Sequence, residues 1–324
     1  MPGTGWADHA SANFETGTAG AVMTIPGSTM PKGKMVIGAS IQLIEFNAIP
    51  DARLMELGAA NDDAHSTDSL INLSVNLAYG MNDDLTVGLS APYIERHNIH
   101  VSVNSNGMGD VEAAGDSKGL SDVSLFGQYR FLHKTSTDVA LLAGLKTPTG
   151  SSSETETGGE LFEADHQPGS GSWDPFLGLA FNHSWDGTGI SANLLYTFAT
   201  KGTQDTDLGN VFNYNIAVSH RIVTAPEHHD HDADEDEEQT EFPVEYVDLI
   251  LELNGDLRDE PRTRDIEDEN HGGHLLYLSP GIKLGLGHRW TFYTSAGIPI
   301  VKVLNGIQSE PDYRIIGGLS YVFR

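Results

Sequence analysis

The sequence predicts an all-β fold: a transmembrane, antiparallel, up-and-down β-barrel of about twelve strands with a mostly irregular N-terminal segment. Three observations carry that expectation. Apolar residues alternate with a face of small and polar residues. Connections are alternately short and long. Aromatic residues gather at strand ends.

The alternation is cleanest at 70–81, where Ile71, Leu73, Val75, Leu77 and Tyr79 interleave with Asn72, Ser74, Asn76 and Ala78. It recurs at 190–199 and again at 275–286. The final segment sets Tyr313, Ile315, Leu319, Tyr321 and Phe323 against Arg314, Gly318 and Ser320, with Ile316 and Val322 as apolar exceptions. A soluble sandwich also has period two. Here the second face carries little of the Lys and Glu that an open, solvated sheet shows. Acyl chains on one side and a wet lumen on the other fit it better.

Every such segment taken together gives strands near 35–48, 69–81, 85–100, 120–132, 138–149, 172–184, 189–201, 209–223, 243–254, 274–286, 290–302 and 312–323. Their number is even, as bacterial single-chain barrels require. Residues 33–324 thus form the barrel. Residues 1–32, with Pro2, Gly3, Pro26, Gly27 and Pro31, form an irregular segment that either plugs the lumen or hangs in the periplasm.

With the N-terminus inside, the outer connections are 49–68, 101–119, 150–171, 202–208, 255–273 and 303–311. The inner ones are 82–84, 133–137, 185–188, 224–242 and 287–289, and only 224–242 is long. Asn82-Asp83-Asp84 and Asp186-Gly187 have tight-turn chemistry. On this topology Tyr79, Tyr129, Phe131, Trp290, Phe292, Tyr321 and Phe323 fall at inner strand ends. Trp173, Tyr196, Phe198, Phe212, Tyr214 and Tyr313 fall at outer ends. Two aromatic belts are what a bilayer's two interfaces select.

Composition narrows the function. The chain has 324 residues, 39% hydrophobic and 20% charged, enough for one large β domain. It has no Cys, which excludes disulfides, thiol catalysis and thiolate metal sites. Mean hydropathy is -0.26, and no run of about 18 apolar residues offers a transmembrane helix. Residues 1–15 lack a usual signal peptide, so the numbered chain is read as the mature form. The net charge of -28, concentrated in loops, argues against nucleic acid as a partner.

Two blocks carry a family resemblance: GLSDVSLFGQYRFLHKTSTDVALLAGLKTPTG at 119–150 and QPGSGSWDPFLGLAF at 167–181. With the closing GGLSYVF, they resemble the outer-membrane "transporter" family described as putative MetA-pathway of phenol degradation. The resemblance spans roughly 33–324. It implies a barrel in the bacterial outer membrane that passes small, often aromatic, solutes, and it brings no functional residues with it. The chain departs from the pattern by ending Phe323-Arg324 and by its insert at 224–242.

The leading expectation is therefore an outer-membrane channel for passive uptake or export of small, aromatic or apolar solutes, with lipid and solute as its partners. Its lumen path would comprise Phe126, Gln128, Arg130, Lys146, Asp174, Phe176, Asn193, Asn215, Arg221, Tyr246, Asp248, Tyr277, Lys283, Tyr293 and Arg314. Aromatics, amides and both charge signs suit a small amphipathic solute; equally, the charges could pair to hold the barrel's shape. The alternative is metal handling. The insert Glu227–Glu238 holds His228, His229 and His231 among acids, and His271 and His274 form a second cluster. Such ligands suit a weakly held divalent ion of the Zn, Ni or Cu class. The plainer reading is a solvated acidic tract. No other cofactor and no catalytic role are expected. Adjacent Ser219 and His220 point to opposite faces, and no nucleophile motif appears.

Overall fold

A computed structural model describes residues 21–62, 64–224, 244–267, 270–287 and 289–323. The chain begins with β1 (Met35–Asn47), α1 (Asp51–Ala60), β2 (His65–Ser66), β3 (Ser69–Asn82), β4 (Leu85–Ser105) and β5 (Met108–Leu120). It continues through β6 (Ser124–Lys134), β7 (Thr137–Lys146), β8 (Asp174–Trp185), β9 (Thr188–Thr197), β10 (Thr206–Asp207) and β11 (Val211–Thr224). It ends with β12 (Val244–Arg258), β13 (Arg262–Thr263), β14 (Ile266–Glu267), β15 (Gly273–Leu286), β16 (Trp290–Leu304) and β17 (Glu310–Phe323).

Twelve of these strands make a closed antiparallel wall. β1 pairs with β3 on one side and with the last strand, β17, on the other, from Met35↔Phe323 to Ile44↔Arg314. Closure removes the free edges that an open sheet would leave in lipid. All twelve expected strands are present, and the alternation decides which way each side chain points. Ile41, Val75, Leu125, Leu177, Leu249 and Ile315 are all between 44% and 51% exposed. Large aliphatics half-exposed all around a cylinder are stable only against acyl chains. On the other face Asn72, Gln128, Asn193 and Asp248 are buried.

The belts are also in place. At the inner rim the Trp290 and Tyr321 rings lie 4.7 Å apart and Tyr321 and Phe323 4.8 Å apart. At the outer rim Tyr196 meets Phe198 at 4.7 Å and Phe212 at 6.4 Å.

The outer connections differ from expectation in three places. Residues 101–119 are a hairpin rather than a loop: β4 runs past the membrane and returns as β5, with Ser105 opposite Met108. The turn is Asn106-Gly107, with φ of 56° and 85°, the left-handed pair that a type I′ hairpin turn requires. Residues 49–68 contain α1. Pro50 precedes its first turn, Asn61 ends it in the left-handed region, and Leu54 and Leu57 pack on Ile49, Val111 and Ile307. Connections 198–210 and 259–272 pair through β10, β13 and β14 into a small separate sheet. The insert at 224–242, with His228, His229 and His231, lies outside the described residues beyond Thr224.

Candidate functional site in the barrel lumen

The lumen is crossed by the chain's own N-terminal segment. Residues 21–31 leave the inner rim, where Gly33 N donates to the Gly80 carbonyl and Gly80 N to that of Lys34. The segment then passes from the β4 side of the wall to the β16 side. Met30 N donates to Thr86 Oγ1 at 2.8 Å. Gln128 Nε2 donates to the Pro26 and Ser28 carbonyls at 2.7 and 3.0 Å. Ile25 N donates to Asn193 Oδ1 at 2.9 Å. The far end is gripped by one carboxylate. Glu252 accepts from the amides of Val22, Met23 and Thr24 and from Thr24 Oγ1, at 3.0 to 3.1 Å. Lys283 Nζ donates to the Ala21 carbonyl at 3.4 Å.

A strap with Pro26, Gly27 and Pro31 cannot make a regular ladder, so the wall's side chains satisfy its backbone instead. Gly27 is required by space. A Cβ there would lie 2.6 Å from the Asp138 carbonyl oxygen and 3.0 Å from that of Ala180.

The strap also explains the apolar residues on the wet face. Ala21 and Val22 pack on Ala217, Ile250, Tyr293 and Ile316. Ile25 packs on Leu142, Ala180 and Leu195. Met30 packs on Val36, Ala78, Phe126, Phe176 and Val322. Ile316 and Val322, the two exceptions in the terminal strand, are sockets for the strap.

The remaining expected lumen residues all point inward, and most are paired. Lys146 Nζ lies 2.6 Å from Asp174 and 3.7 Å from Asp122. Arg221 forms a two-pronged bond to Asp248 at 2.8 and 3.0 Å and stacks over the Tyr246 ring. Arg130 reaches Asp84 at 2.9 Å near the inner turn. Arg314 sits over Tyr277 and donates to Asn254 Oδ1 at 2.9 Å. An amide ladder runs sideways around the wall: Asn254 donates to Asn215, and Asn215 to Asn193, at 3.1 and 3.3 Å. Thus the charges largely hold the wall, and the aromatics at 126, 176 and 293 hold the strap.

Above the strap, the outer loops form a cap. Residues 150–172 fold inward and bond to several neighbours. Ser117 Oγ and Arg96 both donate to the His166 carbonyl, at 2.6 and 3.3 Å. Gln204 donates to the Phe162 carbonyl at 2.8 Å. Phe162 packs on Ile99 and Ala114 of the β4–β5 hairpin. This places His65, Glu163 and His166 together, with ligand-capable atoms within 4.8 Å of one another. Burial, aided by the facing His65, Arg96 and His271, holds the His166 imidazole well below its usual range. Asp165 lies 3.5 Å from His166 Nδ1 and 3.6 Å from His271 Nε2.

His271 and His274 are therefore separated. The first joins the buried cap, and the second bonds the Tyr214 hydroxyl at 2.7 Å in the outer belt. His65, Glu163, Asp165 and His166 escape sequence reasoning because no local spacing joins residues 65 and 163. A cleft of about 450 Å³ beside the cap is lined by Asp207, Arg258, Asp259, Glu260, Arg262 and Glu267, a polar lining that offers nothing to an apolar solute.

The family model described as "Putative MetA-pathway of phenol degradation" matches residues 75–228, which bears out the resemblance read from the two sequence blocks. No protein of curated function matches the chain in sequence. Among solved structures, an outer membrane channel from Pseudomonas putida F1 superposes with a TM-score of 0.58 at 14% identity, covering 91% of this chain and 97% of that one. It is similar in fold. A mutant of the monoaromatic hydrocarbon channel TodX gives 0.46 at 8% identity over 90% of each chain. The toluene transporter TbuX of Ralstonia pickettii gives 0.44 at 8% identity, over 100% of this chain and 98% of that one.

Proposed function

We propose that the chain is a channel of the bacterial outer membrane for passive movement of small aromatic or apolar solutes, closed at mid-lumen by its own N-terminal strap. The observation that carries this reading is how the strap is held. It belongs to no sheet of the wall, and side chains reach in to grip it, so it can leave without unzipping a strand. Behind it lie apolar and aromatic sockets (Phe126, Leu142, Phe176, Leu195, Tyr293) that a small apolar solute would find as favourable as Ile25 or Met30 do. The family's description points to the same solute class. The reading assigns no catalysis. Ser219 is buried on the lumen face, while His220 is on the opposite face and bonded to Thr188 Oγ1 at 2.8 Å.

The test is efflux of phenol from proteoliposomes, with a charged solute of equal size as control. Full-length protein should release phenol above the lipid background, and deleting residues 2–30 should raise the rate several-fold. A truncated barrel that migrates as folded yet passes nothing faster than protein-free vesicles would end the proposal.

A further inference from the structure

The cap contains a feature that the channel reading does not use. His65 and His166 are each 2% exposed, and Glu163 is half-buried beside them. The three come from distant parts of the chain: β2, which pairs with the outer part of β4, and the inward-folded loop 150–172. Their rings and carboxylate converge, with His65 Nδ1 3.7 Å from Glu163 Oε2 and the two imidazole centres 5.0 Å apart. His166 Nε2 is buried and has no hydrogen-bond partner among the described residues. A buried ring nitrogen without a partner is costly unless something fills its lone pair or takes its proton.

We propose that His65, Glu163 and His166 form a binding site for a divalent cation of the zinc class, stapling loop 150–172 to the segment before β3. Two imidazoles and a carboxylate are the donor set such ions prefer. Ligands about 2.0 Å from a tetrahedral ion stand roughly 3.3 Å from each other, so the site closes by side-chain movements of about 1 Å. The outer shell is also present. Asp165 lies 3.5 Å from His166 Nδ1, where a carboxylate orients a metal-bound imidazole, and reaches His271 on its far side.

Charge favours the ion as well. Two carboxylates, Glu163 and Asp165, face the site, while the nearby Arg96 guanidinium donates to the backbone carbonyls of His166 and Gln167. Glu156 stands close enough to feel His65, and Glu112 and Glu160 in turn stand close enough to act on Glu156, so acidic groups continue outward from the site. None of the three residues belongs to the His-rich insert, which in sequence follows β11 and precedes β12.

The insert must be silenced before the cap can be read. Full-length protein carrying His228→Ala, His229→Ala and His231→Ala would be titrated with zinc by calorimetry in detergent. One equivalent should still bind. Adding His166→Ala or Glu163→Gln should weaken that binding at least about tenfold. Cobalt(II) added to the parent triple variant should develop a visible d–d band, and Glu163→Gln should abolish it. Heat-modifiable migration on gels establishes that each barrel is folded. If His166→Ala fails to fold, Glu163→Gln, at a half-buried position, decides alone. Absence of zinc heat in the triple variant, or unchanged binding in a folded cap variant, overturns the site.

Discussion

The strap and the cap both lie across the same lumen, yet they are built differently. The strap has no regular structure and leans on the wall at separate points: Thr86, Gln128, Asn193 and Glu252. The cap has a helix, a hairpin, apolar clusters around Leu54 and Phe162, and a dense web of its own bonds. A segment held by a few outside anchors comes away as a unit when those anchors fail. A folded layer frays locally and returns. The strap is thus the part suited to open the barrel, and the cap the part suited to stay.

The sharpest way to break that contrast is at Glu252. One carboxylate meets four donors of the strap, and its replacement leaves them buried without an acceptor. At about 1 kcal/mol net for each bond, Glu252→Ala should weaken the closed state by about 4 kcal/mol, roughly a thousandfold in population. The chain has no Cys, so a single Thr24→Cys gives a unique reporter. The substitution gives up the Thr24 Oγ1 bond, which leaves three amide bonds, worth about 3 kcal/mol or roughly a hundredfold, for the reporter to read. Its labelling by a water-soluble thiol reagent should be slow with Glu252 in place and fast with Ala. Labelling unchanged by the substitution would mean that the apolar sockets alone retain the strap.

The wall should answer differently from the strap. Lys146→Met removes the cation between Asp174 and Asp122, both buried. Breaking a buried pair from one side costs about 3–5 kcal/mol. The low end applies here. Asp174 keeps Thr200 N and Ser172 Oγ as donors, and Asp122 keeps Gly150 N and Ser170 N. The expected result is a lower urea midpoint for the barrel in detergent with Thr24→Cys labelling unchanged. Faster labelling without a stability loss would show that the pair serves the strap instead.

The same contrast explains what the sequence made legible. Strand existence and facing were readable because a bilayer outside and water inside impose opposite demands on alternate residues, and Leu73 and Asn72 obey them directly. The inward direction of Lys146, Asp248 and Arg314 followed at once. The strap's path was not readable. Its anchors are long-range pairs such as Thr24 with Glu252, and its only trace was an excess of apolar residues on the wet face, at Ile316, Val322 and Leu195. Those exceptions were visible without their cause. The hairpin at 101–119 had a local signal, Asn106-Gly107, masked by the polar composition around it. Helix α1 lacked one, because Gly58, Ala59 and Ala60 at its end resemble loop. The His65–Glu163–His166 cluster had no trace, because it exists only once the outer loops have folded together.

The smallest expected effect lies within the cap. At Asn98 the β4–β5 hairpin has a bulge, with Asn98 at φ 56° and the register shifting between Arg96 and Ile99. Asp116 fastens it: Oδ1 accepts from Asn98 N at 2.9 Å, and Oδ2 lies 3.4 Å from His97 Nδ1. The Asn98 amide, with help from His97, holds the Asp116 carboxyl below its ordinary range. A carboxyl depressed in the folded state contributes its full stabilisation above the unfolded value. That contribution fades as pH falls through the lower folded one. The group is half exposed, so the effect should stay below about 1 kcal/mol and remain local. Asp116→Asn keeps the shape and removes the charge. Near neutral pH it should speed hydrogen exchange at the Asn98 amide by about threefold while leaving Thr24→Cys labelling untouched. In acid, below the folded carboxyl's own titration, the two proteins should exchange alike, because the wild-type side chain has by then lost the charge that the variant never had. A difference that persisted there would assign the bulge's rigidity to packing and not to the carboxylate.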